Sequence, residues 1–186
     1  MAFSQARDPS WVRLATLVTL ATVAVVVARF GLNPQTPAFC YLAAVGVPLA
    51  FIDVREYRLP DVLTLPSYPA CLLLLGVAAP FLPGGTGRFV HALIGMAAAA
   101  ALFFLLLLAF PAGIGMGDVK LAGPLGAYLG WLGATAFVAG LMAAWLLAAV
   151  TGLGLMAAGR ATRKTQLPFG PFLIIGAFLV ILASTF

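Results

Sequence analysis

Gly113-Ile114-Gly115-Met116-Gly117-Asp118-Val119-Lys120 separates two long apolar runs, and its placement decides how the chain folds. Before it, the twenty-two residues from Phe89 to Phe110 carry one ionisable side chain, His91. After Lys120 no side chain is charged until Arg160. As a single helix that second run would rise about 58 Å, nearly twice the hydrocarbon core of a bilayer. Gly130-Trp131-Leu132-Gly133 offers a break, so a short span followed by a long one is expected. The glycine segment delivers a carboxylate to the start of the short span. An acidic group at such a junction costs free energy unless it is paired, hydrated or used, which makes Asp118 a candidate functional residue.

Composition agrees with this reading of the runs. Of 186 residues 63% are hydrophobic and 8% charged, against about a quarter charged in a soluble domain. The chain is therefore expected to be an all-α, polytopic transmembrane helix bundle, one integral membrane domain over 1–186. A net charge of +5 in such a protein reports orientation and contact with anionic lipid, not nucleic acid. Basic and aromatic residues are not interleaved as on a nucleic-acid surface. Cys40 and Cys71 lie inside apolar runs without a CxxC pair, so they are read as packing residues; no metal and no other cofactor is expected.

In order, span one is Trp11 to Phe30, retained rather than cleaved, and Gly31 to Pro34 is a turn. Span two runs from Ala38 to about Ile52, is kinked at Pro48 and stops at Asp53. Span three covers about Val62 to Leu82, bent by Pro66 and Pro69. Pro83 to Arg88 is a flexible turn, and Pro111 closes span four, Phe89 to Phe110. The broken run supplies spans five and six, and Pro168 to Phe186 the last. About seven spans (six to seven) are expected, the fifth being the hardest to bound. Seven alternating spans place Arg7, Arg13, Arg55, Arg58, Lys120, Arg160, Arg163 and Lys164 on one side, which should be cytoplasmic, with Arg29 and Arg88 opposite. That side holds the N-terminus and contacts anionic lipid.

The same alternation brings Asp53 and Asp118 to one face. Two carboxylates that share a site hold one proton between them. The ionised member can take a proton from water as it attacks a peptide carbonyl, and the protonated one can donate to the carbonyl oxygen. Gly113, Gly115 and Gly117 permit unusual dihedrals and close approach of a substrate backbone. Asp118 at a helix start meets the end of the dipole that favours an anion. A plainer reading stands beside this one, with Asp118 as a helix cap and Asp53 paired with Arg55, Arg58 or Lys120. Glu56 and Asp61 read as surface charges, Asp61 also as a cap of span three. His91 is isolated near the opposite face. No GxSxG or HExxH motif offers another hydrolytic mechanism. A proton-coupled transporter using the same aspartates, and a silent assembly protein, are the rival classes.

Three stretches together resemble the prepilin peptidase family, the membrane aspartic proteases with a GxGD motif. They are Phe51 to Pro66, containing Asp53 and Leu59-Pro60-Asp61; Gly115 to Leu121, containing Gly115-Met116-Gly117-Asp118; and Leu167-Pro168-Phe169-Gly170-Pro171-Phe172. The resemblance covers residues 51–172. It implies a peptidase at the cytoplasmic face of the bacterial inner membrane. Its partners would be type IV prepilin-like precursors, from which it removes short basic leaders for pilus assembly or protein secretion. It implies Asp53 and Asp118 as the catalytic pair, with Pro168, Phe169, Gly170 and Pro171 shaping the floor and Lys120 beside the site. Larger relatives carry paired cysteine motifs linked to methylation. Ten residues precede the first span here without such a motif, so methyltransferase activity is not expected. Oligomeric state cannot be read from the sequence.

Overall fold

The computed structural model describes residues 9–110, 113–162, 165 and 167–184. Arg7, Pro111, Arg163 and Lys164, on which the sequence reading drew, lie outside these. Helices α1 (Pro9–Phe30), α2 (Thr36–Glu56), α3 (Asp61–Thr64), α4 (Ser67–Ala78), α5 (Gly85–Ala109), α6 (Met116–Leu132), α7 (Ala134–Ala157) and α8 (Gly170–Ala183) follow one another. A 3₁₀ turn, Ala79–Phe81, extends α4, and α3, α4 and that turn together make one broken rod. No strand occurs among the described residues. Five of the resulting seven rods, Ser10–Phe30, Thr36–Glu56, Asp61–Phe81, Gly85–Ala109 and Ala134–Ala157, are long and apolar enough to cross a membrane. The protein is a multi-pass helical membrane bundle.

Helix α6 is its axis. From Asp118 to Trp131 every residue but Lys120 is buried, as befits a helix enclosed by others on all sides. It packs against α4, α5, α7 and α8. Without a hydrophobic drive between helices in lipid, close approach depends on small side chains. Gly126 and Gly130 provide it: a Cβ on either would collide with the backbone of α5, at the carbonyls of Gly95 and His91. At only 17 residues, α6 rises about 26 Å. Enclosed by neighbouring helices, it has no lipid thickness of its own to match.

The expected break falls at Gly133, between α6 and α7, with φ of 113°. Several other boundaries differ from expectation. Helix α2 does not stop at Ile52 but continues to Glu56, so Asp53 lies within its last turn. Charge ends the apolar run there, yet exposed Arg55 and Glu56 are good helix formers and the backbone ladder continues. It ends at Tyr57, in the left-handed conformation with φ of 51°, whose N–H bonds the Asp53 carbonyl at 2.9 Å. Helix α5 starts at Gly85, four residues before the expected Phe89, and absorbs most of the glycine-rich turn. Span three bends at Leu65-Pro66, as foreseen. Pro69 falls in the first turn of α4, where a missing N–H costs nothing. Helix α8 begins at Gly170, leaving Pro168 and Phe169 in the segment before it.

Among the described residues, Arg55 marks one end of the bundle and Arg29 and Arg88 the other. Arg55 stacks on the Trp11 ring at 5.0 Å, beside the aspartates. At the far end Arg29 donates to the carbonyls of Leu182 (3.1 Å) and Ser184 (2.8 Å), which terminate α8. Arg88 lines a cavity with Ser184 at that same end.

Candidate active site

Asp53 is buried, with 5% of its surface exposed. It sits where α2 offers a carboxylate nothing: the free backbone groups of a helix C-terminus are carbonyls, and the dipole there is negative. Its partner comes from another helix. The Gly170 N–H, first in α8, donates to Asp53 Oδ2 at 3.1 Å. The other donors of that helix start are accounted for. Pro171 has none, and the N–H groups of Phe172 and Leu173 reach the Phe169 carbonyl at 3.1 and 3.2 Å. Glycine at 170 permits this approach, because a Cβ there would lie 2.7 Å from Asp53 Oδ2 and force one of them to shift.

Asp118 is also buried, at 8% exposure, in the first turn of α6. Its Oδ2 accepts the Gly115 N–H at 3.1 Å, half of the reciprocal arrangement found in capping boxes. Gly115 is the cap residue and Asp118 the third helical residue, so Asp118 is not itself the cap. Helix α8 packs on both α2 and α6, and the two carboxylates are near enough for the charge of Asp53 to act on Asp118. Both therefore stand at one end of the bundle, each bound through Oδ2 to a backbone N–H at a helix start.

The glycines before Asp118 serve differently from the expectation. Gly115 is extended, with φ of −88° and ψ of 156°, and neither Gly113 nor Gly117 has a positive φ. Unusual dihedrals are not their reason. At Gly113 and Gly115 an added Cβ would meet its nearest neighbour at an ordinary 3.6 Å. Gly117 alone needs its small size, since a Cβ would stand 3.0 Å from Leu59 Cβ. Leu59, in the link between α2 and α3, packs across the start of α6; the sequence reading did not single it out. Its signal was indirect, a leucine before Pro60-Asp61 facing a glycine that had no turn to make.

Lys120 has an acidic partner of its own. It binds Asp61 Oδ1 at 2.7 Å and so ties α6 to the start of α3. The side chains of Lys120 and Asp61 are 30% and 56% exposed. Asp61 is thus a surface charge with a partner, and Lys120, one of three partners that the plainer reading offered Asp53, is paired with Asp61 instead. Phe169 is committed to an aromatic cluster, with ring centroids 5.0 Å from Trp145 and 5.8 Å from Phe103. Pro171 is buried in the first turn of α8 and Pro168 is half-buried. Of this stretch, Gly170 touches an aspartate directly.

A second buried polar pair also escaped the sequence reading. Trp131 Nε1 donates to Gln35 Oε1 at 2.7 Å, locking the end of α6 to the start of α2. Cys40 and Cys71 are unpaired and packed within α2 and α4. Among the described residues no three His, Cys, Asp or Glu side chains gather into a group able to hold a metal ion.

Comparison with known proteins adds a lineage to this geometry. The model of the type IV leader peptidase family matches residues 39–184. A protein of Aeromonas hydrophila named prepilin leader peptidase/N-methyltransferase is 34% identical over 182 residues, which is 95% of this chain and 58% of that one. The like-named protein of Burkholderia pseudomallei (strain K96243) is 35% identical over 178 residues, 92% of this chain and 54% of the relative. That of Pseudomonas aeruginosa is 31% identical over 177 residues, 89% and 57% respectively. The chain spans about half the length of the curated relatives it matches. No solved structure matches it.

Proposed function

Because the chain belongs to the type IV leader peptidase family, we propose that it is a membrane aspartic endopeptidase that removes the leader from type IV prepilin-like precursors. Asp53 and Asp118 are its catalytic pair. The observation that carries this reading is their convergence: two buried carboxylates, far apart in sequence, meet at one end of the bundle with Oδ2 of each held by a backbone N–H. Oδ1 of each is then the atom for water and for the scissile carbonyl. The ionised aspartate takes the proton of the attacking water, and its protonated partner donates to the carbonyl oxygen. As the tetrahedral intermediate collapses, the amine leaves with a proton from the pair. No covalent intermediate forms.

The substrate's extended segment approaches Gly113 and Gly115, both exposed, while its apolar helix lies in the bilayer against the bundle. The basic residues beside the aspartates support a reading in which this end lies at the cytoplasmic face of the inner membrane, in contact with anionic lipid. The relatives' names join a second activity, N-methyl transfer, to the first; the reaction proposed for Asp53 and Asp118 is peptide cleavage alone. Family membership also weighs against the proton-coupled transporter.

The test is cleavage of a type IV prepilin precursor by the purified protein in detergent. Asp53→Asn and Asp118→Asn should each abolish product while circular dichroism and Tm stay near wild type. Full cleavage by either variant removes that aspartate from the mechanism.

A further inference from the structure

At the end of the bundle away from the aspartates, a cavity of about 600 Å³ opens between α5, the α6–α7 turn and the last turn of α8. Asp118 and Trp131, which is on its wall, are thirteen positions apart in α6, about 20 Å along the axis. It is therefore remote from the carboxylate pair and plays no part in the proposed cleavage. Its lining is divided by chemistry. Arg88, His91 and Thr135 contribute polar groups, while Ala136, Ala139, Leu179 and Val180 make an apolar wall. Trp131 stands behind them, its indole N–H already donated to Gln35.

We propose that this cavity is a binding site for one anionic phospholipid of the leaflet opposite the aspartates. The position is at helix ends, where α5 begins and α8 finishes, and so at headgroup depth. The guanidinium of Arg88 supplies the fork geometry suited to a phosphate, and His91 and Thr135 add donors within the same cavity. The cavity also contains the first turn of α7, whose cap residue Gly133 offers no side chain to its N–H groups. That end of a helix favours an anion. The competing negative end of α8 is already answered by Arg29, through its bonds to the Leu182 and Ser184 carbonyls. An acyl chain descends along Ala136, Ala139 and Val180. A free phosphate would satisfy the polar rim and leave that wall uncovered, so the occupant is a lipid.

The bound lipid touches all three elements around the α6–α7 break and so fastens them together. Binding is read by native mass spectrometry and by the Tm of the detergent-solubilised protein titrated with phosphatidylglycerol. Phosphatidylcholine and glycerol 1-phosphate serve as comparisons. Phosphatidylglycerol should bind and raise Tm, and the other two should do so about tenfold more weakly or not at all. Arg88→Gln together with His91→Gln should weaken phosphatidylglycerol binding about tenfold, the worth of one charge-assisted hydrogen bond. Arg13→Gln with Arg160→Gln, in the basic set at the other end of the bundle, should leave labelling of 131–139 and 179–184 by a photoreactive phosphatidylglycerol unchanged.

A photoreactive phosphatidylglycerol gives a readout on the unaltered protein. It should label peptides from 131–139 or 179–184. Equal binding of the two lipids, full binding by the Arg88–His91 double variant, or labelling confined to other segments would each overturn the assignment. Binding of glycerol 1-phosphate as tight as that of the lipid would make the site one for small phosphates and refute the acyl-chain half of the proposal.

Discussion

Replacing Gly170 by alanine is the smallest change that tests whether α8 positions Asp53. The new methyl carbon would stand 2.7 Å from Asp53 Oδ2 and 3.3 Å from its Cγ, where ordinary contact starts near 3.4 Å. Carboxylate or helix must therefore move by about 0.7 Å, a displacement the packed site resists. Either movement stretches the N–H···Oδ2 bond, now 3.1 Å. Misplacement of a reacting group by about 1 Å costs on the order of a hundredfold in rate. A tenfold to hundredfold fall in kcat for precursor cleavage is expected. Overpacking should lower stability by about 1–3 kcal/mol, leaving most of the protein folded. Gly154→Ala is the matched control, since nothing lies within 4 Å of a Cβ there, and it should keep wild-type activity. Both variants would be compared by initial rates on a type IV prepilin precursor, with Tm recorded on the same preparations. A Gly170→Ala protein that cleaves within twofold of wild type would show that the α8 N–H does not hold Asp53 in working geometry.

Two further experiments probe the frame around the site. Gly126→Leu drives a large side chain into the Gly95 carbonyl and Ala99; it should abolish accumulation of folded protein, measured by size exclusion in detergent, whereas Gly154→Leu should not. Asp61→Ala and Lys120→Ala break an exposed ion pair, and exposed pairs contribute about 0–1 kcal/mol. A double-mutant cycle on Tm should find a coupling no larger than that, and a value well above it would mean the pair is more sheltered than its exposure indicates.

The sequence exposed the architecture because lipid contact leaves a compositional record. Long apolar runs marked the rods, and the length of the uncharged run after Lys120 required a break that falls at Gly133. Helix ends were less legible. Apolar runs report where lipid stops, whereas helices end where the backbone ladder ends, one turn beyond Asp53 in α2 and four residues before Phe89 in α5. Within the candidate site the aspartates stood out because a carboxylate in an apolar setting demands an explanation. The glycines did too, but their purpose depends on neighbours distant in sequence. Leu59 explains Gly117, and Asp53 explains Gly170. Lys120 likewise has a partner that its own stretch does not announce, Asp61, fifty-nine residues before it.

These distant neighbours also explain why three stretches are needed to build a site with only two aspartates. Asp118 can satisfy Oδ2 within its own stretch, because a residue in the first turn of a helix lies within reach of N–H groups just before it. Asp53 cannot. It stands in the last turn of α2, among carbonyl oxygens and the negative end of the dipole, an arrangement adverse to a carboxylate. A donor has to be imported, and the start of another helix is the natural source of unpaired N–H groups. Pro171 in the first turn of α8 has no N–H to offer, and Phe169 accepts from the next two residues. Gly170 is therefore left with a donor that nothing in its own helix claims. Its missing side chain lets the carboxylate come within reach. The stretch Pro168 to Pro171 has no acid–base chemistry of its own, yet it gives a buried, badly placed carboxylate a backbone donor at the end of the bundle that also holds Asp118. A change that shifts the start of α8 should thus disable the site while both aspartates remain.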